Sequence, residues 1–250
     1  MGQLQFVTMA SRALMGSAQA DLASRSIVAF KVRLKGDVFF NLPDGDTATL
    51  VCIADNAGAN VTVTMKVARS DPNFVFDFTH ITAAEGIQAT IATSAFSADN
   101  YYVVYGHLST ASPYMYIECF ESDGTSRGNA SFTGFDPGST SAVNYLMLSS
   151  PDAFYQAQGI MDGAAAYGAV LAGAARYSVP TTGDSDLLWL SFLADASGAT
   201  VTAATGNNLT LNGTETTDYD WIAGGTWDAA AGGSAGGGAY YQHYYLSVVT

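Results

Sequence analysis

Charge is scarce in this 250-residue chain: 12% of its residues are Asp, Glu, Lys or Arg, and 9 basic residues stand against 22 acidic ones, a net charge of −13. Affinity for phosphate backbones comes from Lys and Arg neutralising them, so the balance disfavours nucleic acid, and none is expected as a partner. Docking to an anionic membrane surface is disfavoured on the same ground. Only two cysteines occur, Cys52 in LVCIAD and Cys119 in YIECFE. That density excludes a disulfide-stapled scaffold. Both sit in strand-like runs, where a small thiol serves as core filler, and sequence leaves open whether they are bonded to each other. Histidine is equally sparse: His80, His107 and His243 form no two-histidine metal motif, and the cysteines lack zinc-site spacing. Long apolar runs are missing as well. The longest uncharged small-residue run, Gly163 to Ala175, falls short of the ~20 residues of a membrane span, so no membrane insertion is expected. The opening MGQLQFVTMASRALMGSAQADLA has no basic region followed by an unbroken apolar one, since Gln3, Gln5, Ser11 and Arg12 interrupt it. No signal peptide is read there, and synthesis in the cytosol follows as an expectation.

What is abundant is apolar and aromatic. Hydrophobic residues make up 48%, with 14 Tyr, 13 Phe and 3 Trp, enough for one sizeable core. The surface must then be built of Ser, Thr, Asn, Gln, Gly and Ala. Strand patterns dominate. In SIVAFKVRLKG, Val28, Phe30, Val32 and Leu34 alternate with Ala29, Lys31, Arg33 and Lys35, which predicts one buried face and one basic, wet face. NVTVTMKVARS repeats the alternation, with Val61, Val63, Met65 and Val67 on one side. Further strands are expected at 37–41, 48–54, 73–79, 86–94, 101–109, 113–121, 129–133, 143–149 and 208–212, with turn signals such as PDGD, SADN, ESDG and DPGS between them. Two short helices are the candidates at 9–20 and 187–196, the second reading equally as a buried strand. The fold class is therefore all-β, an antiparallel sandwich of jelly-roll type with one or two short helices. Three segments divide the chain: 1–26, an N-terminal extension and candidate attachment arm; 27–228, the sandwich; and 229–250, a Gly-rich loop followed by a Tyr-rich strand.

The stretch GIMDGAAAYGAVL, Gly159 to Leu171, is too glycine-broken for an ordinary strand and too small-residued for an amphipathic helix. Its glycines permit a bulge, its alanines let backbones approach, and Tyr167 and Leu171 can anchor it. The spacing of Gly159, Met161, Asp162, Tyr167 and Leu171 resembles a strand of the concanavalin A-like lectin/glucanase superfamily, laminin-G-like branch, that leads out of its sheet into a short helical turn. SIVAFKVRLKG with DTATLVCIADNAG is similar to that branch's opening strands. NYYVVYGHLSTASPYMYIECFESDGTSRG resembles its central pair, which ends in an Asp-Gly hairpin, here Asp123-Gly124. VPTTGDSDLLWLSFLADASGATVTAATGNNLTLNGTETTDYDW resembles the tail of a subset of these domains. Gly163 and Gly168 stand where the family often has Asp and Asn. The resemblance implies a concanavalin A-like jelly roll over most of 27–221 and leaves function open, since lectins, hydrolases, adhesion modules and virion proteins share the fold.

Catalytic patterns are weak. A glucanase needs carboxylates sharing a face, but Glu118 should point away from Glu121, and Asp123 belongs to the ESDG turn. GGSAG at 232–236 matches a nucleophile elbow, yet it lies in a polyglycine stretch with no acid between Ser234 and the only later histidine, His243. His107 matches an aromatic-strand position and is read as packed. Asp44/Asp46, Asp184/Asp186 and Asp218/Asp220 are paired loop carboxylates of the kind Ca²⁺ prefers, although acidic loops are expected at this net charge. No cofactor is implied, and Ca²⁺ is the one ion worth testing. Tyr101, Tyr102, Trp221, Trp227, Tyr240 and Tyr241 are the candidates for glycan or subunit contact, weighed against a role in the core or a subunit interface.

The sequence therefore points to a non-enzymatic virion structural protein of a bacteriophage: a capsid decoration, fibre or tail-associated subunit. It would be made in the host cytoplasm and displayed on the particle exterior, as a homo-oligomer with other virion proteins. A carbohydrate-binding lectin or adhesin, with a host-surface glycan as partner, is the alternative, and a glycoside hydrolase ranks third.

Overall fold

The computed structural model describes residues 2–6, 13–15, 25–54, 61–140, 145–148, 159–180, 188–190, 197–206, 208–211 and 219–223. Before residue 25 the described residues form β1 (Gly2–Phe6) and β2 (Ala13–Met15). Strand β3 (Val28–Lys35) runs into a single helical turn, α1 (Asp37–Phe40), and then β4 (Thr47–Ala54). A meander follows of β5 (Val61–Ser70), β6 (Asn73–His80) and β7 (Glu85–Ala92). Next come β8 (Tyr101–Leu108), β9 (Met115–Glu121) and β10 (Ser126–Phe132), then β11 (Tyr145–Leu148) and β12 (Gly159–Tyr167). Short strands complete the described residues: β13 (Leu188–Leu190), β14 (Thr200–Val201), β15 (Ala203–Thr205), β16 (Leu209–Leu211) and β17 (Tyr219–Ala223).

These strands form two antiparallel sheets. The larger runs β10-β9-β8-β3-β12-β1-β17, with β13 and β15 attached beside β12; the other runs β14-β16-β2-β11-β4-β5-β6-β7. One apolar cluster fills the space between them, with Phe30, Val32, Val104, Ile117 and Ala164 from the larger sheet against Leu50, Met65, Phe76 and Phe78 from the smaller. The all-β sandwich expected from the alternation is what the chain forms. The two cysteines are buried thiols in separate clusters, so no disulfide joins them.

Several local expectations are corrected. Residues 37–41 do not form a strand. A strand would send Val38 and Phe39 to opposite faces, whereas the helical turn α1 buries both. Gly36 makes the turn possible, because its N–H donates to Asn100 O and a side chain there would run into Ser97 O. Of the expected helix at 9–20, the described residues 13–15 form a strand: β2 is hydrogen-bonded between β11 and β16, so tertiary pairing overrides local preference there. Within 187–196 the described residues 188–190 form a strand, β13, paired to β12 with Leu188 fully buried. The N-terminal segment is not wholly outside the sandwich. Gly2–Phe6 pairs with β12 on one side and β17 on the other. Residues 229–250 lie outside the described residues.

The glycine-rich strand β12 lies inside the larger sheet and not at its rim. It pairs with β3 and β1, with a register shift between Met161 and Gly163. Gly159 has φ of +145°, and a Cβ there would lie 2.9 Å from the Val38 backbone, so the start of this strand requires glycine. Gly106 on β8 is needed for a different reason. A Cβ would sit 2.8 Å from the Phe78 ring and 3.3 Å from Met65 Sδ, in the middle of the interface between sheets. Gly106→Val is expected to cost about 1–3 kcal/mol through overpacking, measurable as a lower urea midpoint with an unchanged slope.

Candidate functional site

Among the described residues, the outer face of the larger sheet gathers polar and aromatic side chains from β3, β8 and β9. With Val28, Phe30, Val32 and Leu34 turned into the sandwich, alternation sends Ala29, Lys31, Arg33 and Lys35 outward. The same rule places Tyr101, Val103, Tyr105 and His107 of β8 and Tyr116, Glu118 and Phe120 of β9 on that face. The register sets them in lateral rows: Tyr116, His107, Ala29 and Tyr167, then Glu118, Tyr105, Lys31 and Ala165. A basic, wet face was expected here. Lys31 is instead 2% exposed, and Ala29, Val103, Tyr105 and Tyr167 form a second small core.

The cover is the segment that follows β12. After Tyr167 the chain leaves the sheet, forms a 3-10 turn at Gly173–Arg176 and crosses the outer face, laying Leu171, Tyr177 and Val179 on the second core. The strand-then-turn form and the anchoring by Tyr167 and Leu171 are as the sequence predicts, with the anchors on the outer face. Lys31 Nζ donates to Ala175 O and Ser178 O, both at 2.9 Å, and stands 5.2 Å from the Tyr167 ring centre. Leu171 N–H donates to Tyr105 Oη at 3.0 Å, and Arg176 Nε donates to Leu171 O at 3.1 Å. Arg176 also reaches Glu118 Oε2 at 3.3 Å and stacks 4.7 Å from the Tyr116 ring centre, while Tyr116 Oη donates to Glu118 Oε2 at 2.6 Å. The Tyr177 ring packs 5.2 Å from Phe120.

Burial shapes the chemistry under this cover. Desolvation pushes the Tyr105 hydroxyl up to about 12, and desolvation with the neighbouring Glu118 carboxylate raises Tyr116 further. Desolvation also lowers His107 to about 4, against the Pro113 carbonyl, which favours its protonated form, and with the Arg176 charge, which does not.

At the far end of the same face lies a corner the strap leaves partly open. Arg33 is hydrogen-bonded to Asp162 Oδ2, and its guanidinium lies 4.7 Å from the Tyr101 ring centre. Gln3 Nε2 donates to Asp162 Oδ1 at 3.0 Å and to Tyr101 Oη at 2.6 Å. Ser122, exposed, donates to Tyr101 O at 2.9 Å and accepts from Arg33 Nη2 at 3.4 Å. Asp162 itself is fully buried, and desolvation lowers Arg33, opposed by the Asp162 charge. Sequence reasoning marked Asp162 only as part of a strand pattern and missed its partners, because Gln3, Arg33 and Asp162 lie far apart in the chain.

Of the proposed contact residues, Tyr101 is half-buried in this corner. Tyr102 is a core residue: it has no exposure, packs 4.9 Å from the Phe96 ring centre and accepts from Ser97 N–H. Trp221 lies in β17, its backbone paired with Leu4 of β1. Trp227, Tyr240 and Tyr241 lie outside the described residues, as do His243, the GGSAG stretch, Asp184, Asp186 and Asp218. Glu118 and Glu121 take opposite faces of β9, each with an arginine, Arg176 and Arg127 respectively. Asp123 is exposed, and hydrogen bonds from Thr125 hold it below the usual carboxylate range. Asp44 Oδ1 accepts from Asp71 N–H, and Arg69 pairs with Asp71 beside it. Among the described residues no three His, Cys, Asp or Glu side chains group as a metal site would require. His80 is packed, its Nδ1 accepting from Ala83 N–H and its Nε2 facing Ser139 O. No helix among the described residues is long and apolar enough to cross a membrane.

No protein-family model matches the chain, and no curated protein matches it. Among solved structures it is similar to full-length tailspike protein 2 of an Escherichia coli O157:H7 bacteriophage, at TM-score 0.45 and 9% identity, over 62% of this chain and 21% of that one. It is also similar to domains LG4-5 of the mouse laminin alpha1 chain, at TM-score 0.43 and 9% identity, over 66% of this chain and 41% of that one. A third likeness is to Scytalido-glutamic peptidase, at TM-score 0.33 and 9% identity, over 84% and 95% of the two chains. The chain thus spans about a fifth of the tailspike and two fifths of the laminin fragment. Likeness of this degree is one of outline, and no residue role is transferred from it.

Proposed function

We propose that the chain is a non-enzymatic virion structural protein of a bacteriophage, displaying a laminin-G-like sandwich of the concanavalin A type on the particle exterior. What carries this reading is the state of the carboxylates that could do chemistry. Glu118 is clamped by Arg176, Glu121 by Arg127 and Asp162 by Arg33. An arginine hydrogen-bonded to a carboxylate occupies the oxygen a substrate proton would need. The low count of basic residues and the net charge of −13 suit an outward position, away from packaged nucleic acid. Short side chains such as those of Ala172, Ala174 and Ala175 on the exposed strap lose little entropy when packed against a neighbour. As a virion component the purified chain forms symmetric homo-oligomers and co-sediments with particles. A strict monomer absent from particles would overturn the reading.

The glycan-binding alternative has one observation in its favour, the half-open corner where Tyr101, Arg33 and Ser122 meet. On that reading the protein is retained on a defined oligosaccharide surface at micromolar concentration. Tyr101→Ala then weakens retention about 10-fold, the scale of one aromatic contact, with an unchanged melting profile as control. Retention unchanged by that substitution would remove the corner as the site.

A further inference from the structure

The polar contacts beneath residues 168–180 form a chain in which every proton has an assigned place. His107 Nε2 faces Pro113 O at 3.2 Å. A carbonyl only accepts, so Nε2 carries the ring proton, and neutral His107 must accept at Nδ1. Its partner there is Tyr105 Oη at 3.1 Å, so the Tyr105 proton points at the imidazole. The same Tyr105 oxygen accepts the N–H of Leu171, the residue where the strap meets the sheet. Leu171 O, in turn, accepts from Arg176 Nε. The order is Leu171 N–H to Tyr105 O–H to His107, then His107 N–H to Pro113 O.

A second proton on His107 breaks that order. Nδ1 becomes a donor and meets the Tyr105 proton head-on, so the hydroxyl must turn away. The acceptor left to it is Leu171 O, at 3.5 Å and already engaged by Arg176. The added charge also arrives beside another cation, for the His107 ring stacks on Tyr116 at 5.5 Å and 17°, and the Arg176 guanidinium lies over that same ring. The remaining groups on this face give the new charge no partner. Glu118 of β9 is shared between Tyr116 and Arg176. Lys31 of β3 is a further cation in the next row, Ala29 lies directly opposite His107, and β12 presents the neutral Tyr167 there.

We propose that residues 168–180 form an acid-released strap, held shut by the ordered chain from Leu171 through Tyr105 to His107 and let go when His107 takes a second ring proton. The inference is independent of what the sandwich binds. His107 is buried and neutral when the strap is closed and regains water when it lifts. The depressed value of about 4 against the ordinary 6.5 gives the window. The closed state has its full hold above about pH 6.5, loses it as pH falls towards 4, and changes no further below that.

Hydrogen exchange of the full chain, corrected for the intrinsic pH dependence of the rate, tests this. Between pH 7.5 and 4 the Leu171 amide is expected to lose protection on the order of 100-fold, while the Phe76 amide in β6 keeps its own. His107→Gln, which cannot take the proton, should abolish that selective loss. If that variant does not fold, Tyr105→Phe decides: Leu171 is then weakly protected at every pH, with no acid step. Leu171 protection that follows Phe76 throughout the titration would overturn the proposal. So would an acid step that survives in either variant.

Discussion

Arg33→Leu is expected to lower the unfolding free energy by about 3–5 kcal/mol, the range for removing one partner of a buried ion pair. Asp162 is fully buried, and the Arg33 side chain is 11% exposed. Removing the guanidinium takes the Arg33 charge away from the carboxylate, which keeps its hydrogen bond from Gln3 at 3.0 Å. The cost arises from burying the carboxylate without the Arg33 charge, so it should shrink when the carboxylate charge is removed too. Asp162→Asn in the Arg33→Leu background keeps a side chain able to accept from Gln3 and should recover a large part of the loss. Urea denaturation of the two single variants and the double variant at pH 7 measures the coupling directly. A cost below about 1 kcal/mol for Arg33→Leu would show that water reaches Asp162 and that the pair is of the weak surface kind.

Phe39→Ala is expected to cost a comparable amount, about 3–5 kcal/mol. The Phe39 ring sits at the centre of an aromatic group, 5.4 Å from Phe76, 5.4 Å from Phe96, 5.7 Å from Phe74 and 5.8 Å from Tyr102. Truncation opens a cavity bordered by rings from both sheets, and rings attached to a hydrogen-bonded ladder cannot collapse into it. Phe39→Leu should cost markedly less, because it restores most of the volume. Equal losses for the two variants would mean that ring geometry matters more than filled space.

Phe39 also marks where the sequence stops being legible. Alternation identified β3, β5, β6, β8 and β9, because each has one face in the main core and period-two patterning reports that directly. It failed at α1, where two consecutive buried residues look like part of a strand although a helical turn sends both into the same core. It failed again on the outer face of the larger sheet, where Lys31 and Arg33 look like solvent-facing residues. Lys31 is buried by a loop over 140 residues away in sequence, and nothing local to β3 signals that. Tyr101 was identified as a candidate by its residue type alone, and Tyr102 by the same reasoning was misassigned. Two adjacent tyrosines on one strand must face opposite ways, and only the sandwich tells which is inside. The arginine clamps on Glu118, Glu121 and Asp162 could not be read from spacing, since two of the three join residues 58 or more positions apart.

The position of β1 has a consequence for how this molecule can be handled and assembled. Residues 2–6 fill a slot between strands that end near residues 167 and 223, so the larger sheet stays gapped until the residues up to 223 are in place. Contacts spanning that much sequence make for slow closure. A shortened chain starting at residue 27 would leave β12 and β17 with facing rows of unmatched amides and carbonyls in mid-sheet. Such a gap has room for a five-residue segment supplied from elsewhere, including the leading end of a sister molecule, so truncation at that point should turn a self-contained fold into a strand acceptor.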